Sequence, residues 1–178
     1  MLSDSSIYNL EGRIDVTNWF ENGQLSKAGK MHYYKEDGKW QYFHRNGKIS
    51  AEEVYDVGKL TNRIYYDEAG IALSDTTNRD RAAECTKDWK TYLENNLNPP
   101  DVRFKNGDRA VVIVDFSIDE DGKVGDVTLY SSFHKSFDDI AIEVVKKSPL
   151  WKPAIDHNRR VKVYKRQPMT FIQEDYGW

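Results

Sequence analysis

The chain has 178 residues, of which 39% are hydrophobic, 31% charged and 13% aromatic, and its formal net charge is −3. That length holds one ordinary domain or two small ones with modest cores, and the slight acidity excludes nucleic-acid binding through a global basic field. Cys85 is the single cysteine, which excludes an internal disulfide and a cysteine-based zinc site. No run of about 18 apolar residues exists, and Met1-Leu-Ser-Asp-Ser-Ser-Ile-Tyr8 has neither a basic nor an apolar leader segment. The chain itself is therefore expected to carry no anchor and to insert into no membrane.

The first seventy residues repeat themselves. Trp19-Phe-Glu-Asn-Gly-Gln-Leu25, Tyr42-Phe-His-Arg-Asn-Gly-Lys-Ile49 and Tyr65-Tyr-Asp-Glu-Ala-Gly-Ile-Ala72 share an aromatic pair, a few polar residues and a glycine, with Gly23, Gly47 and Gly70 spaced 24 and 23 residues apart. Further turns are expected at Glu36-Asp-Gly-Lys39 and Asp56-Val-Gly-Lys59. This spacing predicts an antiparallel meander of short hairpins over residues 1–73, each repeat glycine taking a positive φ and the aromatics packing on the next strand. The pattern resembles MORN-type and YwqK-type repeats. Repetition is needed physically, because one hairpin cannot bury enough surface to fold alone.

Ser74-Asp-Thr-Thr-Asn-Arg-Asp80 is polar and aperiodic and reads as a linker. It predicts two separable units, with fragments ending near Leu73 and starting near Arg81 each soluble. From Arg81 to Leu97 the spacing of Ala82, Cys85, Trp89, Tyr92, Leu93 and Leu97 is helical, and Asn98-Pro-Pro100 ends it. Cys85 reads as a small apolar residue of that helix. Val112, Val114, Phe116 and Ile118 then alternate with polar positions into a turn at Asp119-Glu-Asp-Gly122, which predicts a hairpin over Ala110 to Tyr130. A helix follows at Ser136–Lys147, with Ser136 as N-cap and Asp139 completing a capping box. Its stripe of Phe137, Ile140, Ala141, Val144 and Val145 should pack on the sheet, with Trp151 closing one end of the core. A third strand is expected over roughly Arg160 to Ile172.

The order β-β-α-β, with V-x-F-x-I-D-x-D-G-x-V in the hairpin, F-D-x-x-A in the helix, then Trp151-Lys-Pro-Ala154 and Gln167-Pro-Met-Thr-Phe171, resembles the C-terminal domain of the TonB energy-transducer family. The resemblance runs from about Cys85 to Gln173 and assigns residues 81–178 to that domain. The whole is thus expected to be α+β: a meander of hairpin repeats, then a helix and a small TonB-like domain. The resemblance implies a protein-binding module of the Gram-negative cell envelope, periplasmic, coupling to an outer-membrane receptor through an extended peptide segment. It implies no catalysis, and Asp138 takes the position of a structural Asp.

The residues themselves offer little chemistry. His32, His44, His134 and His157 show no metal-ligand spacing and are expected on turns or exposed strand faces. No nucleophile elbow, phosphate-cradling loop or dinucleotide fingerprint is present. Asp119, Glu120 and Asp121 lack the spacing of a calcium loop and read as a solvated turn. Asp138 and Asp139 read as first-turn acids that stabilise the helix dipole rather than as a catalytic pair. No cofactor or metal is expected.

The remaining signal is the run Arg159, Arg160, Val161, Lys162, Val163, Tyr164, Lys165 and Arg166, which sets five cations within eight residues of a mildly acidic chain. Cations on an edge strand can simply discourage aggregation. They can also steer an acidic or polar segment, or a second copy of the chain, onto unpaired backbone groups, with Val161 and Val163 anchoring the strand. Pro168 removes one donor and confines pairing to the residues before it. In the TonB family this last strand receives the receptor segment. A repeat-based scaffold or antitoxin-like binder, in which the meander does the binding, is the other reading of the same composition.

Overall fold

The computed structural model describes residues 4–8, 12–102 and 109–172. The chain divides into two compact units. One comprises residues up to Asp80 together with Ile155–Arg159, and the other comprises Arg81–Ala154 together with residues from Arg160 onward.

The first unit is an antiparallel meander. Strands β1 (Asp4–Tyr8), β2 (Arg13–Trp19), β3 (Leu25–His32), β4 (Lys35–Phe43), β5 (Ile49–Asp56) and β6 (Lys59–Tyr65) lie side by side in chain order. Turns at one end alternate in kind with turns at the other. At the repeat glycines the same three-residue loop recurs. Phe20 N–H donates to Gln24 O (2.8 Å) and Gly23 N–H to Phe20 O (2.9 Å); His44 and Gly47, then Asp67 and Gly70, repeat both bonds within 0.1–0.2 Å. Each glycine has φ between +81° and +84°, the left-handed residue that such a loop requires after its turn.

The opposite turns have two residues with positive φ. Val57 and Gly58 (φ 44° and 85°) form the expected turn at 56–59, whereas the other falls at Tyr33 and Tyr34 (φ 48° and 62°), not at Glu36–Lys39. Gly38 (φ 66°) instead sits inside β4, where the β3–β4 register slips between Ala28/Gln41 and Lys30/Asp37. The slip has a packing cause. The Trp40 ring lies across Gly29, where a methyl group would collide with it, and its Nε1 donates to Lys30 O at 2.9 Å. The aspartate-glycine pair, a strong turn signal locally, is overridden by seating of the largest core side chain.

The loops are tied to one another across the sheet. Asn22 Nδ2 donates to Arg45 O (3.5 Å), Asn46 Nδ2 to Glu68 O (2.8 Å) and Lys48 Nζ to Ala69 O (2.8 Å). In the same loops the Asn Oδ1 atoms accept from Gln24 N–H and Lys48 N–H. The third repeat carries Ala69 in place of asparagine, and it is the last loop of the ladder; there Asp67 Oδ1 takes over the local role by accepting from Ala69 and Ile71 N–H. A departure from the repeat consensus thus marks where the stack ends.

In the second unit a three-stranded sheet packs on one helix. Strand β7 (Glu84–Cys85) precedes helix α1 (Trp89–Asn96), strands β8 (Arg109–Ile118) and β9 (Val124–Ser131), and helix α2 (Lys135–Lys146). Then come β10 (Trp151–Lys152), the hairpin β11 (Ala154–Asp156) and β12 (Arg159–Val161), of which Ile155–Arg159 belongs to the first unit, and finally β13 (Val163–Ile172). Val112, Val114, Phe116 and Ile118 are all buried, as their alternation requires, against Phe137, Ala141, Val144 and Val145 of α2. Trp151 is 4% exposed and lies against Trp89 and Phe116 with its ring tilted to both.

The Asp119–Gly122 turn uses the same loop as the repeats, with Asp119 N–H to Lys123 O and Gly122 N–H to Asp119 O. Its glycine has a second reason. Trp151 N–H donates to Gly122 O at 2.9 Å, and a side chain at Gly122 would run into the Trp151 carbonyl. Two motifs 29 residues apart in sequence are therefore one contact.

Three local expectations are corrected. The segment expected as one helix over 81–97 is helical only from Trp89, capped by Asp88, whose side chain accepts from Thr91 N–H at 2.7 Å. Cys85 lies in strand β7 because it pairs with Trp151, a partner no local spacing reveals. The N-cap of α2 is His134, not Ser136: His134 Nδ1 accepts from Ser136 N–H, while Asp139 pairs with Lys135 in place of closing a capping box. Asp138 is buried and accepts from Ser132 Oγ and Phe133 N–H, a structural role. Ser74–Asp80 belongs to the first unit, which also takes in Ile155–Arg159 from the far end of the sequence.

Candidate partner-binding edge

The cationic run does not form one strand. Arg159–Val161 ends the β11–β12 hairpin, Lys162 interrupts, and β13 begins at Val163. From there β13 pairs with β8 over its whole length, from Val163↔Ile118 to Ile172↔Arg109, and in the order β13–β8–β9 it is one of two outer strands, β9 being the other. Its side chains alternate. Met169 and Phe171 are buried, while Tyr164 and Ile172 are exposed, Tyr164 at 72%.

Each cation has a different environment. Arg166 forks onto Asp115 across the β13–β8 pair, with Nε to Oδ1 and Nη2 to Oδ2 both 2.7 Å, and its guanidinium lies 3.2 Å from the Tyr130 ring centre. The hydrogen bonds from Arg166 hold the Asp115 carboxyl below its ordinary range. Lys162 Nζ sits 2.7 Å from Asp126, whose carboxyl is lowered by that bond first and by Ser117 second. Lys165 lies over Trp151. Arg160 is exposed, and Val161 and Val163 pack at the margin of the core.

Arg159 departs from the expectation of an exposed steering cation. It is 8% exposed, belongs to the first unit, and its Nη1 donates to Ser26 O, Ser26 Oγ and Phe43 O. Burial pushes its pKa down, opposed by Asp156. Phe20 and Tyr42 flank its guanidinium.

The histidines also differ in part from the expectation of turns and exposed faces. His44 is buried with Nε2 3.1 Å from Tyr66 O. His157 stacks on Tyr42 at 3.4 Å and sets Nδ1 3.1 Å from Glu53 Oε1. Glu53 has no exposed surface and also accepts from Tyr55 and from Arg63 Nε (2.6 Å). Burial raises its pKa, yet the bonds from His157 and Tyr55, the His157 charge and Arg63 outweigh that and hold it at about 2. Sequence reading missed this network because a Glu in a charged, alternating strand looks like surface. Asp80, Asp156 and His157 bring ligand atoms within 4.8 Å of one another. Their atoms already serve the fold, since His157 N–H donates to Asp80 and the ring faces Glu53 and Asp156.

A three-stranded sheet with a helix packed on one face defines a small α+β domain. Residues 98–172 match the family model described as Gram-negative bacterial TonB protein C-terminal. The C-terminal resemblance is thereby shown, and the family it points to is one of non-enzymatic protein-interaction domains of the envelope involved in transport energy coupling. The match does not reach the N-terminal meander, for which the likeness to MORN-type repeats rests on the hairpin sheet alone. No curated protein and no solved structure matches the chain. Among the described residues no helix is long and apolar enough to cross a membrane.

Proposed function

We propose that the second unit captures an extended, acidic or polar protein segment along β13, as an added fourth strand, in the periplasm of a Gram-negative bacterium, and that the segment belongs to an outer-membrane receptor. The observation that carries the reading is the position of β13 at the end of the β13–β8–β9 order, since free backbone donors and acceptors on an outer strand supply the affinity of strand addition. Family membership of residues 98–172 supports the class of partner. Arg160, Lys162, Tyr164, Lys165 and Arg166 would flank the incoming strand, with Val161 and Val163 fixing its start. Arg159 is withdrawn from this set, because its guanidinium is committed to Ser26 and Phe43.

The test is a titration of the full chain with acidic heptapeptides of alternating apolar residues, followed by backbone amide shifts and by amide exchange. Shifts and new protection along Val163–Gln167 are expected. Arg160→Glu should slow association more than Lys162→Glu, whose cation is already paired with Asp126, and added salt should lessen the difference. Shifts confined to the meander, leaving β13 untouched, would overturn the reading in favour of a repeat-based binder.

A further inference from the structure

Asp80, Asp156 and His157 all belong to the first unit and bring one ligand atom each within 4.8 Å of the others. Carboxylate oxygen and imidazole nitrogen at that spacing suit a small divalent cation, since side-chain rotation alone can close them to bonds of about 2.0–2.2 Å. All three can be reached from water. Asp80 is exposed, and the Asp156 and His157 side chains keep 47% and 18% of their surface. The hydrogen bonds that seat them in the fold still leave each an atom to offer. Asp80 Oδ1 accepts from the His157 backbone N–H at 2.8 Å, and Asp80 N–H donates to Asn78 Oδ1 at 3.0 Å, which holds the carboxyl beside the turn between β11 and β12 with Oδ2 still to be used.

The orientation of the ring carries the argument. His157 Nδ1 lies 3.1 Å from Glu53 Oε1, and Glu53 also accepts from Arg63 Nε and from the Tyr55 hydroxyl. A carboxylate paired with arginine can only accept, so the ring proton belongs on Nδ1. That leaves the lone pair on Nε2, which faces Asp156 Oδ1 at 3.5 Å, longer than the roughly 2.7–3.2 Å of a hydrogen bond. Two acceptors face each other stably only when a cation lies between them or a second proton charges the ring. A buried carboxylate that takes one ring N–H while the other nitrogen stays open is also the way histidines are set for a metal. Charge points the same way. Glu53, Asp80 and Asp156 stand against Arg63 and Arg159, which leaves one acid in excess around a neutral ring.

We propose that His157 Nε2 and one oxygen each of Asp80 and Asp156 bind a divalent transition-metal ion of the zinc type, with water completing its coordination. The imidazole sets the class, because magnesium and calcium take oxygen ligands. The proposal is independent of strand capture by β13. It is tested on the full chain with zinc chloride, and with magnesium and calcium chlorides as controls, read by proton–nitrogen correlations of the histidine rings and by the melting temperature. Zinc should shift His157 Nε2, keep Nδ1 protonated and raise the melting temperature, and the controls should do none of these. Asp156→Asn keeps the side-chain shape, Asp80→Asn keeps the acceptor for the His157 N–H, and each should weaken zinc binding about tenfold or more. A His157 ring protonated on both nitrogens and unmoved by zinc would overturn the proposal, the second proton then being the cation. Zinc shifts confined to His32, His44 or His134, an equal response to magnesium, or unchanged zinc affinity in either asparagine variant would overturn it as well.

Discussion

The two units solve the same problem, how to stabilise a small antiparallel sheet, in opposite ways. Among the described residues the second unit gathers sixteen buried apolar side chains into one cluster, whereas the meander gathers four: Trp40, Tyr42, Ala51 and Tyr65. The reason is the partner layer. Helix α2 covers one face of β13–β8–β9, so alternating apolar residues have somewhere to go. In the meander, burial includes Glu53, His44, Ser50 and Arg159, and cohesion comes from a charged network and from the ladder of repeat loops. One unit should therefore fail when volume is removed, the other when polar partners are removed.

The largest effect is expected from Trp151→Ala. It empties the site between Trp89 and Phe116 and should cost about 3–5 kcal/mol, unfolding the second unit; unchanged melting of that unit would show that its core does not depend on volume. Gly122→Ala should be comparably damaging, since the new methyl meets the Trp151 backbone.

Acid should act on the meander through Glu53. Glu53 titrates at about 2 in place of 4.5, so the folded state binds fewer protons than the unfolded one between these values. Its stabilisation is complete above about pH 4.5 and is lost as pH falls towards 2, by up to about 3 kcal/mol. Glu53→Gln should flatten that dependence in a denaturation series, and a retained slope would place the acid lability elsewhere. A fragment ending at Asp80 lacks His157 and Arg159, and it should melt below the same unit in the full chain.

Smaller still is the loop ladder. Asn46→Ala removes a 2.8 Å bond to Glu68 O and the acceptor for Lys48 N–H, at about 1 kcal/mol. Asn22→Ala, with its longer 3.5 Å bond, should cost less, and introducing asparagine at Ala69 should give no gain because no further loop follows it in the ladder. Equal effects at all three positions, measured by chemical denaturation, would mean that the asparagines act only within their own loops.

Several features were legible in the residues alone. The repeat glycines, the Asp119–Gly122 turn and the α2 stripe are local, each dictated by backbone conformation or by periodicity within a few residues. The capping of α2 was not, because three candidate side chains compete over Ser132–Asp139 and Asp138 is drawn to Ser132 and Phe133. The start of α1 was hidden for a related reason: helical spacing at Ala82 and Cys85 lost to a bridge with Trp151.

By itself the sequence determined which segments make hairpins, which helix stripe turns inward, and which strand closes the TonB-like sheet, since these follow from side-chain period and turn chemistry. Only the tertiary structure decided the fate of individual charges. Glu53 and Arg159 read as surface residues in an alternating, highly charged chain, yet both are buried and hydrogen-bonded. Whether a charge is solvated or enclosed depends on residues more than a hundred positions away, as His157 is from Glu53, and no local pattern carries that information.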